Sequence, residues 1–250
     1  MPPPNAGPAP SSQPLGNEPP RPTGGALLVV AAAGVATAPA AVAGKDAGPV
    51  NELHTTQRMV ALTFDDGPNP RWTPAVLQTL KRYNASATFF DVGRRALAHP
   101  DLVAQELAQG MKVEDHTYTH PHLTALTSAG VRAELAGGSA ALMHLGVPRP
   151  LEFRPPFGDR DGRVDDIGRS MGYRMVLWDF CLEHYIHRYG IRLGVERLVG
   201  AVRPGSIILA HDGGIPNRGR TLLALPLLLH QLHTAGYRVV DASTLIAAAR

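Results

Sequence analysis

Two adjacent aspartates, Asp65 and Asp66, end a short apolar run, Met59-Val60-Ala61-Leu62, and stand directly before Gly67-Pro68. The run reads as a buried strand, and Gly-Pro forces a turn just beyond the carboxylates. In α/β folds the C-terminal ends of parallel strands are where sites are built. Two aspartates at such an end can divide labour, one binding a metal while the other takes a proton. The stretch Thr63-Phe64-Asp65-Asp66-Gly67-Pro68 taken alone is equally compatible with simple turn capping, so the weight falls on residues further along the chain.

His116-Thr117-Tyr118-Thr119-His120 spaces two imidazoles four residues apart. On one helical turn they face the same side and grip one ion. The alternative is a pair of surface histidines in a His-rich stretch, since His122 lies two residues beyond. With an upstream Asp they make an Asp-His-His set, and three protein ligands leave positions open for water and substrate. Arg154-Pro155-Pro156-Phe157-Gly158 is stiff, and Phe157 is the first residue after its prolines with an N–H to offer an oxyanion. Alone it is a Pro-rich loop. The run Ser206–Ala210 ends in His211-Asp212-Gly213, and an imidazole at that rim can donate a proton to a leaving group or simply be satisfied locally.

The elements that must position these residues alternate. Strands are expected at 59–64, 87–92, 111–114, 152–154, 173–178, 206–211 and 237–240. Helices are expected at 73–83, 100–109, 127–145, 161–171, 195–202 and 221–235, with a C-terminal helix after them. Strand-helix alternation with about seven strands predicts an α/β fold whose parallel sheet closes into a (β/α) barrel. Asp65, Asp66, His116, Arg154, Trp178, Asp179, His211 and Asp212 all fall at strand ends, which a barrel gathers on one face.

Of the 250 residues, 44% are hydrophobic, enough for a sizeable core, and the net charge of +3 is spread without a basic block, which argues against specific nucleic-acid binding. Cys181 is the only cysteine, so neither an intramolecular disulfide nor a Cys-based zinc site is available. Residues 1–24, rich in Pro, Gly and Ser, are expected to be disordered. The apolar run from Gly25 to Val35 has the length of a signal-peptide core and is too short and Ala/Gly-rich for a membrane span. Ala41-Val42-Ala43 before Gly44 fits a cleavage site, so residues 1–43 are read as a disordered segment with an export signal, 44–57 as a linker and 58–250 as the folded domain. No stable membrane insertion is expected, and the destination is secreted or the cell envelope.

Taken in order, Thr-Phe-Asp-Asp-Gly-Pro, His-Thr-x-x-His, Arg-Pro-Pro-x-Gly and Leu-x-His-Asp-Gly resemble the polysaccharide deacetylases, the NodB-homology family of carbohydrate esterases, over about residues 58–245. The resemblance implies a distorted (β/α) barrel and removal of acetyl groups from N-acetylated sugars. The substrate is then an acetylated polysaccharide or oligosaccharide such as peptidoglycan or chitin oligomers. It matches Asp66, His116 and His120 to the ligands of a divalent metal, usually zinc, with cobalt as a substitute. Asp65 matches the general base, His211 the general acid and Arg154 the residue that steadies the base. The N–H of Phe157 matches the oxyanion donor, and Trp178 and Leu209 match the walls of the acetyl pocket.

The chain departs from the family pattern in three places. Glu114-Asp115 stands where many members have Gly-Asn, which adds two carboxylates able to tighten or distort the metal site. Cys181, His184 and Tyr185 stand where many have an acidic partner for the Arg and then Asp-Trp; Asp179 or Glu183 is a candidate substitute partner, and Tyr185 offers an aromatic platform for a sugar. No carbohydrate-binding module is evident. Two other readings compete: a hydrolase of a non-sugar amide on the same barrel, and a catalytically silent sugar-binding protein.

Overall fold

The computed structural model describes residues 48–215 and 217–249; the segment read as disordered and as an export signal lies outside them. The first half of the fold comprises β1 (Met59–Gly67), α1 (Thr73–Arg82), β2 (Thr88–Asp91), α2 (Gly93–Ala98), α3 (Pro100–Ala108), β3 (Lys112–Asp115), α4 (Ser128–His144), β4 (Glu152–Phe153) and α5 (Gly162–Ser170). The second comprises β5 (Arg174–Met175), β6 (Phe180–Cys181), α6 (Leu182–Tyr189), α7 (Ile191–Ala201), β7 (Ile207–His211), α8 (Gly219–Thr234), β8 (Arg238–Val240) and α9 (Ala242–Ala248).

All named strands pair in parallel in the order β5-β4-β3-β2-β1-β7-β6, and β8 pairs with the start of β1. The α/β barrel with about seven parallel strands is therefore the observed architecture. Each residue of β1 is buried, as a strand covered on both faces requires. Alternation divides its side chains. Val60, Leu62 and Phe64 enter the layer shared with α1, α7 and α8, whereas Met59 and Ala61 join the inner cluster with Phe90, Val176 and Ile207. Burying Leu62 or Phe64 contributes about 1.5–3 kcal/mol each.

The outermost strands, β5 and β6, do not pair with one another, which leaves a seam. The chain ahead of β1 spans it. Val50 N donates to Met175 O at 2.9 Å, Leu177 N donates to Val50 O at 2.7 Å, and Leu53 N donates to Gly205 O at 2.9 Å. The stretch read as linker, 44–57, is thus built into the barrel from Val50 to Leu53. Gly205 permits this approach: its φ is +94°, and a Cβ there would lie 1.6 Å from Leu53 O. Gly205→Ala is expected to destabilise the domain by about 2–3 kcal/mol. A urea midpoint equal to wild type would show that the seam does not depend on this contact.

The sequence pattern missed α2, β6 and α6, began α7 at Val195 instead of Ile191, and extended β5 through the irregular stretch 176–178. α6 is a short helix whose Leu182 and Ile186, four apart, face the core among charged and aromatic neighbours. Gly190, at φ 78°, ends it and starts α7, so the two read as one irregular stretch. No helix among the described residues is long and apolar enough to cross a membrane.

Candidate metal-dependent active site

Parallel register levels the strand ends. Asp65 lies beside His211, Asp91 beside Asp115, and Asp115 beside Phe153, immediately before Arg154. Along the inner face of β1, Ala61 and Thr63 are small enough to admit a long side chain, and Arg154 fills that space, completely buried. Its Nη1 donates to Asp65 Oδ1 at 2.6 Å and to Thr63 Oγ1 at 2.9 Å. Its Nε reaches Val176 O and its Nη2 reaches Leu177 O, both at 2.9 Å. The guanidinium also lies 4.2 Å from the Phe90 ring centre. Burial pulls Arg154 below its ordinary pKa, and the Asp65 carboxylate opposes that. Two carbonyls thus take two of the three guanidinium donors that Asp65 and Thr63 leave over. Neither Asp179 nor Glu183 is the substitute acidic partner: Asp179 Oδ1 accepts from Ile207 N at 2.8 Å, and Glu183 is engaged with His211.

Asp66 Oδ1 lies 2.8 Å from His120 Nε2 and 3.6 Å from His116 Nε2, and one ligand atom from each of the three residues falls within 4.8 Å of the others. His116 Nδ1 lies 2.8 Å from Arg154 O. A carbonyl only accepts, so Nδ1 carries the proton and Nε2 keeps its lone pair for a metal. A carboxylate oxygen and two imidazoles form a donor set that fits a divalent cation with open positions.

The two histidines do not share a helical turn, as their spacing predicts; they lie in a loop with φ 68° at Thr117 and 67° at His120. That loop is pinned from both sides. Asp115 Oδ1 accepts from Thr117 N at 2.7 Å, and the Glu134 carboxylate of α4 accepts from Thr119 N at 2.8 Å and Thr119 Oγ1 at 2.7 Å. Asp66 (φ 70°) and Phe157 (φ 62°) are also left-handed, so of the non-glycine residues with positive φ among those described only Asn84 lies away from the site. Each such residue costs on the order of 1–3 kcal/mol, and such strain gathers at functional sites.

Neither of the extra carboxylates beside the histidines belongs to the Asp66-His116-His120 set. Glu114 accepts from Leu151 N and Glu152 N, both at 2.9 Å, and Asp115 also accepts from Tyr173 OH at 2.8 Å. Burial pushes Glu114 up to about 8 and Asp115 up to about 7. Both serve the loops around the site.

His211 closes the far side. Its Nδ1 lies 3.2 Å from Glu183 Oε2, and its backbone N donates to Glu183 Oε1 at 2.9 Å. Thr221 Oγ1 donates to the same Oε1 at 2.9 Å. Burial acts to lower the His211 pKa, but the adjacent Glu183 carboxylate overcomes it and raises the group above its ordinary value. Arg218, which sequence reasoning also missed, is buried with Nε on Gly213 O at 2.6 Å and Nη2 3.3 Å from Asp66 Oδ2. It occupies the side of Asp66 turned away from the histidines. No local pattern marks Arg218. For Glu183 the available signal was the Leu182/Ile186 spacing of α6.

Phe157 presents 60% of its surface; its ring stacks on His122 at 4.1 Å and meets His120 edge-on at 4.7 Å. Trp178 is half-buried, with its ring 5.5 Å from the Arg154 guanidinium and against Gly158. Leu209 lies two residues before His211 on the same face of β7. Tyr185 stands apart on α6, with its ring near Phe180 and Tyr189, and lines a neighbouring cleft together with Trp178.

Residues 52–176 match the family model described as polysaccharide deacetylase. The chain is 36% identical over 199 residues to a peptidoglycan-N-acetylglucosamine deacetylase of Bacillus cereus, covering 78% of this chain and 91% of that one. It is 33% identical to a chitooligosaccharide deacetylase of Rhizobium leguminosarum bv. trifolii, covering 76% and 92%. The structure of a family 4 carbohydrate esterase from Streptomyces lividans in complex with acetate superposes with a TM-score of 0.66 at 31% identity, covering 74% of this chain and 93% of that one. With the strand-end carboxylates, the two histidines and the buried arginine placed as described, this chain belongs to the polysaccharide deacetylase family.

Proposed function

We propose that this protein removes acetyl groups from N-acetylated sugars of peptidoglycan, chitin oligomers or a related polysaccharide. The observation that carries the reading is convergence at one barrel mouth: the Asp65–Arg154 pair, the Asp66-His116-His120 set and a His211 braced by Glu183. In this reading Asp66, His116 and His120 hold a divalent metal, zinc with cobalt as a substitute. When bound, that ion polarises the acetamide carbonyl and makes water a better nucleophile at neutral pH.

The chain's own groups do the rest. Asp65 removes a proton from the water as its oxygen bonds to the carbonyl carbon. Arg154 fixes that carboxylate in place, with Nη1 on Oδ1 at 2.6 Å. The N–H of Phe157, on a turn stiffened by Pro155 and Pro156, is the proposed donor to the oxyanion. His211 then gives its proton to the sugar nitrogen as the C–N bond breaks, and acetate and a free amine remain. Trp178 and Leu209 are the proposed walls around the acetyl methyl. An export signal within residues 1–43 would deliver the enzyme to such a substrate outside the cytoplasm.

The test is acetate release from chitin oligomers, peptidoglycan and acetylated xylan by the purified protein with and without zinc or cobalt. Metal-dependent acetate from one of them supports the reading. A metal-loaded protein silent on all of them would overturn it and favour a non-sugar amide or a binding role.

Glu183→Gln is expected to lower the His211 pKa, because it removes the charge that raises it. An acid must be protonated to act, so activity is lost as pH rises through that pKa. The alkaline limb of the kcat profile should therefore move to lower pH in the variant. An unmoved alkaline limb would mean that His211 is not the acid.

A further inference from the structure

Beyond His211 the rim continues as an open cleft of about 560 Å³ between Trp178 and one face of α6. Helical spacing puts Tyr185, Arg188 and Tyr189 on that face, while Leu182 and Ile186 turn to the core. The Tyr185 and Tyr189 rings lie 6.4 Å apart, and with Trp178 they present aromatic surface of the kind that takes the apolar face of a sugar ring.

The cleft is also basic. The guanidinium of Arg188 lies 5.4 Å from the Tyr189 ring centre and that of Arg197 lies 4.4 Å from it. Neither arginine has an acidic partner among the described residues. The carboxylate in the lining, Asp179, is turned onto Ile207 N at 2.8 Å. Residues 184–197 add Arg192 against Glu196 alone. An exposed arginine held against an aromatic ring, with no carboxylate of its own, is suited to grip one on a ligand through its planar fork.

The cleft adjoins the proposed active site at Trp178. Trp178 borders both, and α6 begins with the Glu183 that braces His211. Arg188 lies five residues further on, about 7.5 Å along the helix axis. We infer that this cleft is a subsite for the sugar flanking the one that loses its acetyl group, and that Arg188 selects a flanking ring bearing a carboxylate. The inference rests on the proposed deacetylase activity.

The test uses the metal-loaded protein and three oligosaccharides of equal length. One contains N-acetylglucosamine alone. In the second it alternates with N-acetylmuramic acid, whose carboxylate sits on a lactyl ether, and in the third with glucuronic acid. The wild type should show a higher kcat/KM on at least one charged oligosaccharide than on the neutral one, and which one gains distinguishes the lactyl from the uronic source. Arg188→Glu should lower that charged-to-neutral ratio by about tenfold or more, and Arg188→Lys should restore part of it. A ratio that is the same in wild type and Arg188→Glu, or a wild type with no preference for charge, overturns the inference. If no oligosaccharide releases acetate, the deacetylase reading has failed separately. The subsite is then judged by calorimetric affinity for the muramic acid oligosaccharide, and equal affinity of wild type and Arg188→Glu overturns it.

Discussion

Asp65→Asn is expected to lower kcat by about 10²–10⁴-fold, the usual contribution of a positioned proton acceptor, while the protein still binds its divalent metal at wild-type stoichiometry. The geometry separates the two aspartates. Asp66 Oδ1 faces both imidazoles, 2.8 Å from His120 Nε2 and 3.6 Å from His116 Nε2. Asp65 gives Oδ1 to Arg154 at 2.6 Å and leaves Oδ2 3.8 Å from His116 Nε2. Oδ2 is therefore the atom placed to receive a proton. An asparagine keeps the shape and one acceptor for Arg154 but cannot take that proton. Single-turnover acetate release and metal analysis on the same preparation check both halves of the prediction. Wild-type turnover would remove Asp65 from the base role. Loss of metal would make it a ligand.

How far the sequence leads can be judged residue by residue. The strand ends were legible because apolar runs such as Met59–Leu62 and Ile207–Ala210 stop at polar residues, and the parallel register then brings Asp65 and His211 side by side. The long helices were legible from spacing and caps; Thr127 accepts from Gly130 N and Asp161 from Val164 N at the starts of α4 and α5. The Asp66-His116-His120 group was legible as residue types but not as local structure. A spacing of four is what a helix makes most simply, yet the His116–His120 loop reaches the same convergence with two left-handed residues, held by Asp115 and Glu134. The contribution of Glu134, nineteen residues beyond Asp115, leaves no trace in the motif. Neither does that of Arg218, which meets Asp66 across 152 positions. Glu183 shows the limit most clearly. Its place near a strand end makes it a candidate partner for Arg154, but α6 turns it to His211 instead, and Arg154 is satisfied by carbonyls. Which polar group meets which is decided by packing among distant elements, and composition and spacing carry none of that information.

Arg154→Met should lower the stability of the domain by about 3–5 kcal/mol, a large share of what a domain of this size commonly has. Methionine fills much of the volume, so the loss is chiefly electrostatic. Asp65, 4% exposed, would keep a buried charge without its partner, and the carbonyls of Val176 and Leu177 would lose their donors. Arg154→Lys should not rescue fully, because one ammonium cannot span Asp65, Thr63 and both carbonyls in the planar directions a guanidinium offers. The decisive comparison is the double variant Asp65→Asn with Arg154→Met. If the large cost comes from the stranded carboxylate, removing that charge should make the double variant more stable than the sum of the single effects predicts, by about 1–3 kcal/mol in urea denaturation. Strict additivity would mean that Arg154 acts by packing against Phe90 and filling the barrel. A positive coupling would tie the stability of the barrel to the group proposed to move the proton. The buried ion pair would then be an element of the active site that the fold cannot lose without cost.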